Sequence, residues 1–112
     1  MKFHIEKDAF GSIFYYLNNL LHRDDGPAVE YFDGTKCWFK NDKLHRDNGP
    51  AIEYANGTKE WYKNGKLHRT DGPAIQYSDG SEYWYLNNIC YGYNSDFSSH
   101  SWISFVNTFI FS

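Results

Sequence analysis

Apolar and polar positions recur along the chain with a period of 23 residues. Residues 21–43, 44–66 and 67–89 align without gaps, and each block begins Leu-His-Arg. Residues 11–20 match the second half of the block, and the pattern decays after residue 89. The chain therefore divides into an N-terminal partial repeat (1–20), three repeats (21–89) and a C-terminal cap (90–112), within a single domain.

Each block predicts two short antiparallel strands. The first follows Pro-Ala and is β-branched and aromatic. An Asp-Gly or Asn-Gly turn comes next, at 33–34, 56–57 and 79–80, and it leads into a second strand at 35–40, 58–63 and 81–86. This pattern predicts an all-β fold, a repeat meander of stacked antiparallel hairpins forming one elongated twisted sheet.

Aromatic residues make up 21% of the chain and fall in register from block to block. Trp61 and Tyr62 are neighbours on one predicted strand, so their side chains must lie on opposite faces of the sheet. Both faces are therefore expected to carry aromatic ladders, which stand in for a conventional core.

The last segment changes period. Its apolar residues have the spacing of one face of a helix: Trp102, Phe105, Val106, Phe109 and Ile110. This spacing predicts a short C-terminal capping helix at about residues 97–110, with serine and aspartate before it as candidate N-caps. The alternative is an edge strand over residues 103–111.

Charge and composition narrow the function classes. The net charge of −3 and pI of about 5.9 argue against a general nucleic-acid binder, so neither DNA nor RNA is expected as a partner. The N-terminus has no apolar signal-peptide core, and no stretch approaches the roughly 18 apolar residues of a membrane span. A cytoplasmic location is expected, with Cys37 and Cys90 as free thiols.

The segment at residues 60–66 reads Glu-Trp-Tyr-Lys-Asn-Gly-Lys and is similar to the core of the MORN-repeat family. The His-Arg-x-Asp-Gly-Pro-Ala stretch departs from the usual MORN pattern. It looks like a MORN-like variant found in phages, large DNA viruses and bacteria. The resemblance covers about residues 11–89. It implies a protein-interaction surface and a viral accessory protein or inhibitor that binds a host defence protein, in the host cytoplasm.

The repeated His22, His45 and His68 invite a metal hypothesis that the predicted geometry opposes. Equivalent residues of consecutive two-stranded units lie about 10 Å apart, whereas zinc needs its ligand nitrogens about 2.0–2.1 Å from one ion. We therefore expect no metal and no cofactor. Glu30 and Glu53 are replaced by Gln76 in the third block, and no nucleophile–base set is present. The chain is not expected to be an enzyme, which stays a remote alternative.

Each block also has a kink at Asp/Asn-Gly-Pro, at residues 25–27, 48–50 and 71–73, which we call the arch. The predicted partner-binding site is a basic edge that includes the turns, the arches and nearby aromatics. Its residues are Arg23, Lys40, Lys43, His45, Arg46, Trp61, Lys63, Lys66, His68 and Arg69. A non-catalytic protein-interaction module is the first interpretation, with a protein partner of unknown identity. The alternative is a protein that binds or sequesters a phosphate-bearing small molecule or an anionic lipid head group. Self-association through the N-terminal edge, residues 2–6, is a further expectation.

Overall fold

The computed structural model describes residues 2–111, with side chains described for residues 2–108. All strand pairs are antiparallel, and most strands are only two residues long. The elements in chain order are β1 (Phe3–Lys7), β2 (Ile13–Leu17), β3 (Leu20–Leu21), β4 (Val29–Glu30), β5 (Lys36–Cys37), β6 (Phe39–Lys40), β7 (Lys43–Leu44), β8 (Ile52–Glu53), β9 (Lys59–Glu60), β10 (Tyr62–Lys63), β11 (Lys66–Leu67), β12 (Ile75–Gln76), β13 (Glu82–Leu86), β14 (Ile89–Tyr93), a 3-10 turn (Asn94–Asp96) and α1 (Ser99–Phe111). The all-β repeat meander with a C-terminal helix is confirmed.

The hairpins are distributed over two layers. A ten-stranded sheet runs β1-β2-β4-β5-β8-β9-β12-β13-β14, with β3 beside β2, while β6-β7 and β10-β11 form separate two-stranded ladders. The second strand predicted in the first and second blocks is thus split between the layers. The split falls at Trp38, whose N–H donates to Ala51 in the long sheet (2.7 Å) and whose carbonyl accepts from His45 in the ladder (3.0 Å). Trp61 does the same with Ala74 and His68.

The main core lies between these layers. Val29, Cys37 and Ile52 are buried there, with Phe14 and Tyr62 among the side chains packed on them. Glu and Lys alternate in the cross-strand pairs on the opposite, outer face of the long sheet, for example Glu30 with Lys36. Burying one face and charging the other is the usual solution for an antiparallel sheet.

The C-terminal helix confirms the prediction made from periodicity, and it caps the outer face of the last unit. It is preceded by Ser98, whose hydroxyl accepts from the N–H of Ser101 (3.1 Å) as an N-cap does. Trp102 and Val106 are buried against Trp84 and Leu86. Phe105 of the predicted stripe is partly buried against the same cluster. The side chains of its last two residues, Phe109 and Ile110, lie outside the described part.

The repeat register explains why the helix fits there. Counting 23 residues on from Arg69 gives Gly92, so the arginine of a fourth unit is absent. A Cβ on Gly92 would come within 3.0 Å of the Phe97 ring. The open space above Trp84 is taken by Phe97 and Trp102, with ring centroids 5.6 and 5.4 Å from that of Trp84.

Candidate functional site

Each repeat contains an arch in which arginine links its own unit to the unit before it. The guanidinium carbon lies 4.0 Å from the Tyr15 ring centroid for Arg23, 3.8 Å from Trp38 for Arg46 and 3.9 Å from Trp61 for Arg69. Each Nη1 also donates to the carbonyl of the proline four residues on, at 3.1 Å. The arginine ladder is therefore a structural fastener between units as well as a surface feature.

The glycine of the arch is explained by the same contact. A Cβ would lie 3.0 Å from the Cζ of Arg23 at Gly26, and only 2.6 Å from the Cζ of Arg69 at Gly72. The alanine that follows Gly-Pro is fully buried in all three units. Each residue of the motif Arg-x-x-Gly-Pro-Ala thus has one role. The arginine supplies the guanidinium, the glycine leaves room for it, the proline carbonyl accepts its hydrogen bond, and the alanine packs in the core.

The histidines bridge consecutive units by a second route. The Nδ1 of His22, His45 and His68 accepts from the backbone N–H of Asn41, Asn64 and Asn87, at 3.0–3.1 Å. These asparagines have positive φ of 48–50°. The histidine therefore accepts the backbone hydrogen bond of a turn residue in the left-handed region. A neutral ring that accepts at Nδ1 carries its proton on Nε2.

The other ring nitrogen distinguishes the third unit from the first two. His22 Nε2 meets Asp24 at 3.0 Å, and His45 Nε2 meets Asp47 at 2.9 Å. Thr70 occupies the corresponding position after His68, and the described residues provide no carboxylate partner for its Nε2. Burial, with a smaller effect of nearby Lys63, lowers the pKa of His68, so the ring is neutral and a donor at pH 7.

Several carboxylates form ion pairs with the cations of the predicted basic edge. Arg23 pairs with Asp25 (3.1 Å) and Arg69 with Asp71 (2.9 Å). Arg46, which has Asn48 at that position, pairs with Glu53 instead (2.7 Å). The edge is therefore less cationic than the positions of lysine and arginine alone indicate.

Asp47 is the most strongly engaged of these carboxylates. It accepts from Lys63 at 2.9 Å and from His45 at 2.9 Å, and it lies 3.5 Å from the Nζ of Lys40. The Lys63 hydrogen bond first, and then that of His45, hold the pKa of Asp47 well below its usual range. Asp47 thus joins the second arch to the lysine of the next unit.

Three consecutive depressions run along the arches, and we call them together the arch groove. The first, of about 540 Å³, lies between β1 and the first arch; the second, of about 510 Å³, lies between the first and second arches; and the third, of about 690 Å³, lies between the second and third. Nine of the ten predicted site residues line it: Arg23, Lys40, His45, Arg46, Trp61, Lys63, Lys66, His68 and Arg69.

The tenth predicted residue, Lys43, does not line the groove. It lies beneath the next turn, with its Cβ 3.8 Å from the position that a Cβ on Gly65 would take. Sequence reasoning omitted Asp24 and Asp47 from the site, although both line it. The signal for them was their position two residues after histidine, which places both side chains on one side of an extended chain.

The charge of the arch groove rises along the repeats when histidine is counted as neutral. The first depression is lined by one cation and two carboxylates, the second by three of each, and the third by four cations and two carboxylates. The cations of the third are Arg46, Lys63, Lys66 and Arg69. On a protein of net charge −3, the recess between the second and third units is thus locally cationic.

The described residues, 2–111, contain no group of three or more His, Cys, Asp or Glu side chains placed to hold a metal ion. Within the same range, no helix has the length and apolarity needed to cross a membrane. Cys37 is a buried free thiol, and Cys90 is an exposed one.

Comparison with known proteins adds no assignment to this geometry. No protein-family model matches the chain, and no curated protein matches it significantly. The likeness to MORN-like repeats rests on the residues of the arch and turn alone.

Proposed function

We propose that this chain is a non-catalytic protein-interaction module that holds an acidic segment of a partner protein in the arch groove. The observation that carries the proposal is the rise in charge along the groove to its third depression, where four cations face two carboxylates. An acidic segment laid along the outer face would meet its strongest attraction there and its weakest at the first depression.

The third depression also contains polar groups that are available to bind a ligand. Lys66 has no ion-pair partner among the described residues, and His68 presents an Nε2 donor to the recess. Trp61 contributes an aromatic wall under the Arg69 guanidinium. Aromatic and arginine side chains around a polar recess are the composition typical of interface hot spots.

The hydrogen bonds of the repeated arginines and histidines favour binding over catalysis. Each arginine holds a proline carbonyl, and each histidine has one nitrogen committed to a backbone N–H of the next unit. A general base needs a nitrogen that can approach substrate and change protonation during the reaction. These groups instead stabilise the walls of a groove.

The test compares two double variants that each remove two positive charges. Lys63→Gln/Lys66→Gln neutralises the third depression, whereas Lys36→Gln/Lys59→Gln neutralises two lysines of the long sheet that do not line the groove. Arg46 and Arg69 are left intact, because both fasten adjacent units. The partner is isolated by affinity capture with the wild-type chain and then titrated in purified form by calorimetry.

We expect the groove variant to bind at least about tenfold more weakly, with a shallower salt dependence, and the control to bind within about twofold of wild type. Equal affinities for both variants would overturn docking in the arch groove. Failure of the wild-type chain to retain any protein would overturn the protein-binding proposal.

A second candidate function is the binding of a phosphate-bearing small molecule in the third depression. The observation that favours it is Thr70, which leaves His68 without the carboxylate that occupies the equivalent place in the first two units. Stabilisation of the wild-type chain by millimolar inorganic phosphate, absent in Lys63→Gln/Lys66→Gln, would support it. An equal shift for both proteins would refute it.

The free edge of β1 supports a further proposal, that the chain self-associates there. β1 ends the long sheet, and all five of its residues are exposed. The viral accessory role, inhibition of a host defence protein and a cytoplasmic location stay predictions that rest on the repeat resemblance and on the sequence.

A further inference from the structure

The N-terminal end of the long sheet is an edge strand, β1. β1 is regular over five residues and has a neighbour on one side only, β2. Phe3 is 70% exposed and Ile5 is 62% exposed. Both alternate along β1 with Glu6, which pairs with the core-facing Phe14, so they lie on the side that faces away from the main core. Edge strands of this kind pair with other strands unless charges, prolines or bulges prevent it.

The opposite end of the sheet is protected. The pairing of β13 with β14 shifts register between Trp84 and Tyr85, which interrupts a regular edge. The backbone N–H of Tyr93 at the end of β14 is held by the Asp96 carboxylate at 2.9 Å. The two ends therefore differ, and a free, regular edge is offered by β1.

The backbone of β1 sets which residues face outward. Lys2 accepts at its carbonyl from Asn18 (2.8 Å) and Asp8 donates its N–H to Ser12 (3.0 Å), so even-numbered residues bond inward to β2. Antiparallel strands alternate, so the N–H and C=O groups of Phe3, Ile5 and Lys7 point to the free edge. A strand added there must bond to these odd-numbered residues.

We propose that this edge takes the β1 strand of a second copy of the chain, antiparallel and centred on Ile5. Residues whose numbers sum to ten then face each other across a two-fold axis. Ile5 faces Ile5 of the second copy, and Phe3 faces Lys7; both are hydrogen-bonded positions that use the outward backbone groups. The inference rests on the self-association proposed above and adds its partner strand and register.

The side chains of β1 are self-complementary in this register. Within each chain His4 Nε2 contacts Glu6 Oε1 at 2.9 Å. In the dimer these two side chains also face Glu6 and His4 of the second copy, and Lys2 faces Asp8, each twice by symmetry. These are non-hydrogen-bonded positions, where opposed side chains come closest. On the other face, Phe3 and Ile5 of both copies form one apolar cluster. Asp8 keeps one carboxylate oxygen for the contact with lysine, because its bonds to the backbone of Phe10 and Ser12 use Oδ1.

Neighbouring registers are less favourable. Moving the sum to twelve places Glu6 opposite Glu6, which is repulsive. A register in which the numbers of facing residues sum to eight places His4 opposite His4. It also shortens the paired stretch and leaves Asp8 without a lysine opposite it. The register that sums to ten pairs every residue of β1 and sets no like charges opposite each other.

The main test is sedimentation equilibrium over a wide concentration range with two single variants. In a homodimer, His4→Glu sets an introduced carboxylate against Glu6, and Glu6→Lys sets an introduced ammonium against His4. Each variant alone should dimerise more weakly than wild type, the first by about tenfold because two symmetric pairs become repulsive. In an equimolar mixture the two variants should restore wild-type affinity as a heterodimer. There the introduced glutamate faces the introduced lysine, and the native Glu6 of one chain faces the native His4 of the other.

Cross-linking reads the register directly, in a Cys90→Ser background because Cys90 is an exposed thiol. Ile5→Cys should form a disulfide-linked dimer, since directly opposed Cα atoms lie about 5.5 Å apart. The matched control Lys7→Cys should not, because Lys7 faces Phe3 and the two copies of Lys7 lie several residues apart.

The outcomes separate the register from self-association itself. A protein that stays monomeric, or a dimer unaffected by Ile5→Lys, overturns both the register and self-association through β1. Species larger than a dimer indicate head-to-tail pairing of β1 with β14 and overturn the two-fold arrangement. A dimer that is lost with Ile5→Lys, but whose mixed variants do not recover and whose Ile5→Cys form does not cross-link, keeps self-association and overturns the register.

Discussion

Arg46 stacks on Trp38 of the preceding unit, and its contacts allow the contribution of one junction to the free energy of unfolding to be measured. Arg46 contacts the ring at 3.8 Å, donates to the Pro50 carbonyl at 3.1 Å and pairs with Glu53 at 2.7 Å. Its side chain is 27% exposed, so the ion pair is partly screened. A cation–π contact of about 1 kcal/mol, a carbonyl bond of about 1 kcal/mol and a smaller ion-pair contribution make Arg46→Ala destabilising by about 2 kcal/mol.

The assay is urea unfolding followed by far-ultraviolet circular dichroism, with Lys36→Ala on the exposed sheet face as control. Arg46→Ala should also lower the Tm by roughly 8 °C. Arg46→Lys should recover only the charge interaction, since an ammonium cannot lie flat on the ring and reach the carbonyl together.

A double-mutant cycle with Trp38→Leu isolates the stack itself. We expect a coupling free energy of about 1 kcal/mol between Arg46 and Trp38. The reasoning is refuted if the two changes are additive within about 0.3 kcal/mol, or if Arg46→Ala destabilises no more than Lys36→Ala.

Four further predictions concern the arch, the cap, the thiols and the groove. Gly72→Ala should destabilise by about 1–2 kcal/mol in urea unfolding, because its Cβ would lie 2.6 Å from the Arg69 guanidinium carbon; a neutral effect would mean that this guanidinium is free to move. Trp102→Ala, which removes a fully buried ring, should cost about 3–5 kcal/mol by the same measurement. Cys90 should react rapidly with a thiol reagent at pH 8, whereas burial raises the pKa of Cys37 to about 11 and should delay its labelling until the chain unfolds. The lowered pKa of Asp47 stabilises the fold above the unfolded value of about 3.9, and this contribution is lost as pH falls toward the folded pKa; Asp47→Asn should flatten that part of the stability–pH curve.

The repeat, the turns and the helix could be predicted from the sequence because each depends on residues close together in the chain. Asp-Gly and Asn-Gly need few neighbours to form a turn, and the spacing of Trp102 and Val106 is visible in one dimension. The division into two layers is not local. It arises because Trp38 bonds to Ala51 on one side and to His45 on the other, and both partners are chosen by the stacking of units.

The candidate site was predictable by residue but not by charge. Each of the ten predicted site residues has a residue of the same type 23 positions away, and nine of the ten line one groove. The extent of neutralisation depends on which carboxylate each cation reaches. Arg46 pairs with Glu53 of its own unit, where Asn48 stands in place of the aspartate of the other two units, and this pairing needs three-dimensional distances.

The arginine stacks have a consequence for how this protein can change over evolutionary time. Each guanidinium crosses one boundary and meets the same chemistry on the other side, so an added or deleted block of 23 residues recreates every junction that it interrupts. Gly92 and the helix need only follow whichever block comes last. Duplication can therefore alter the reach of the outer face in steps of about 10 Å, the width of two strands, without designing a new contact.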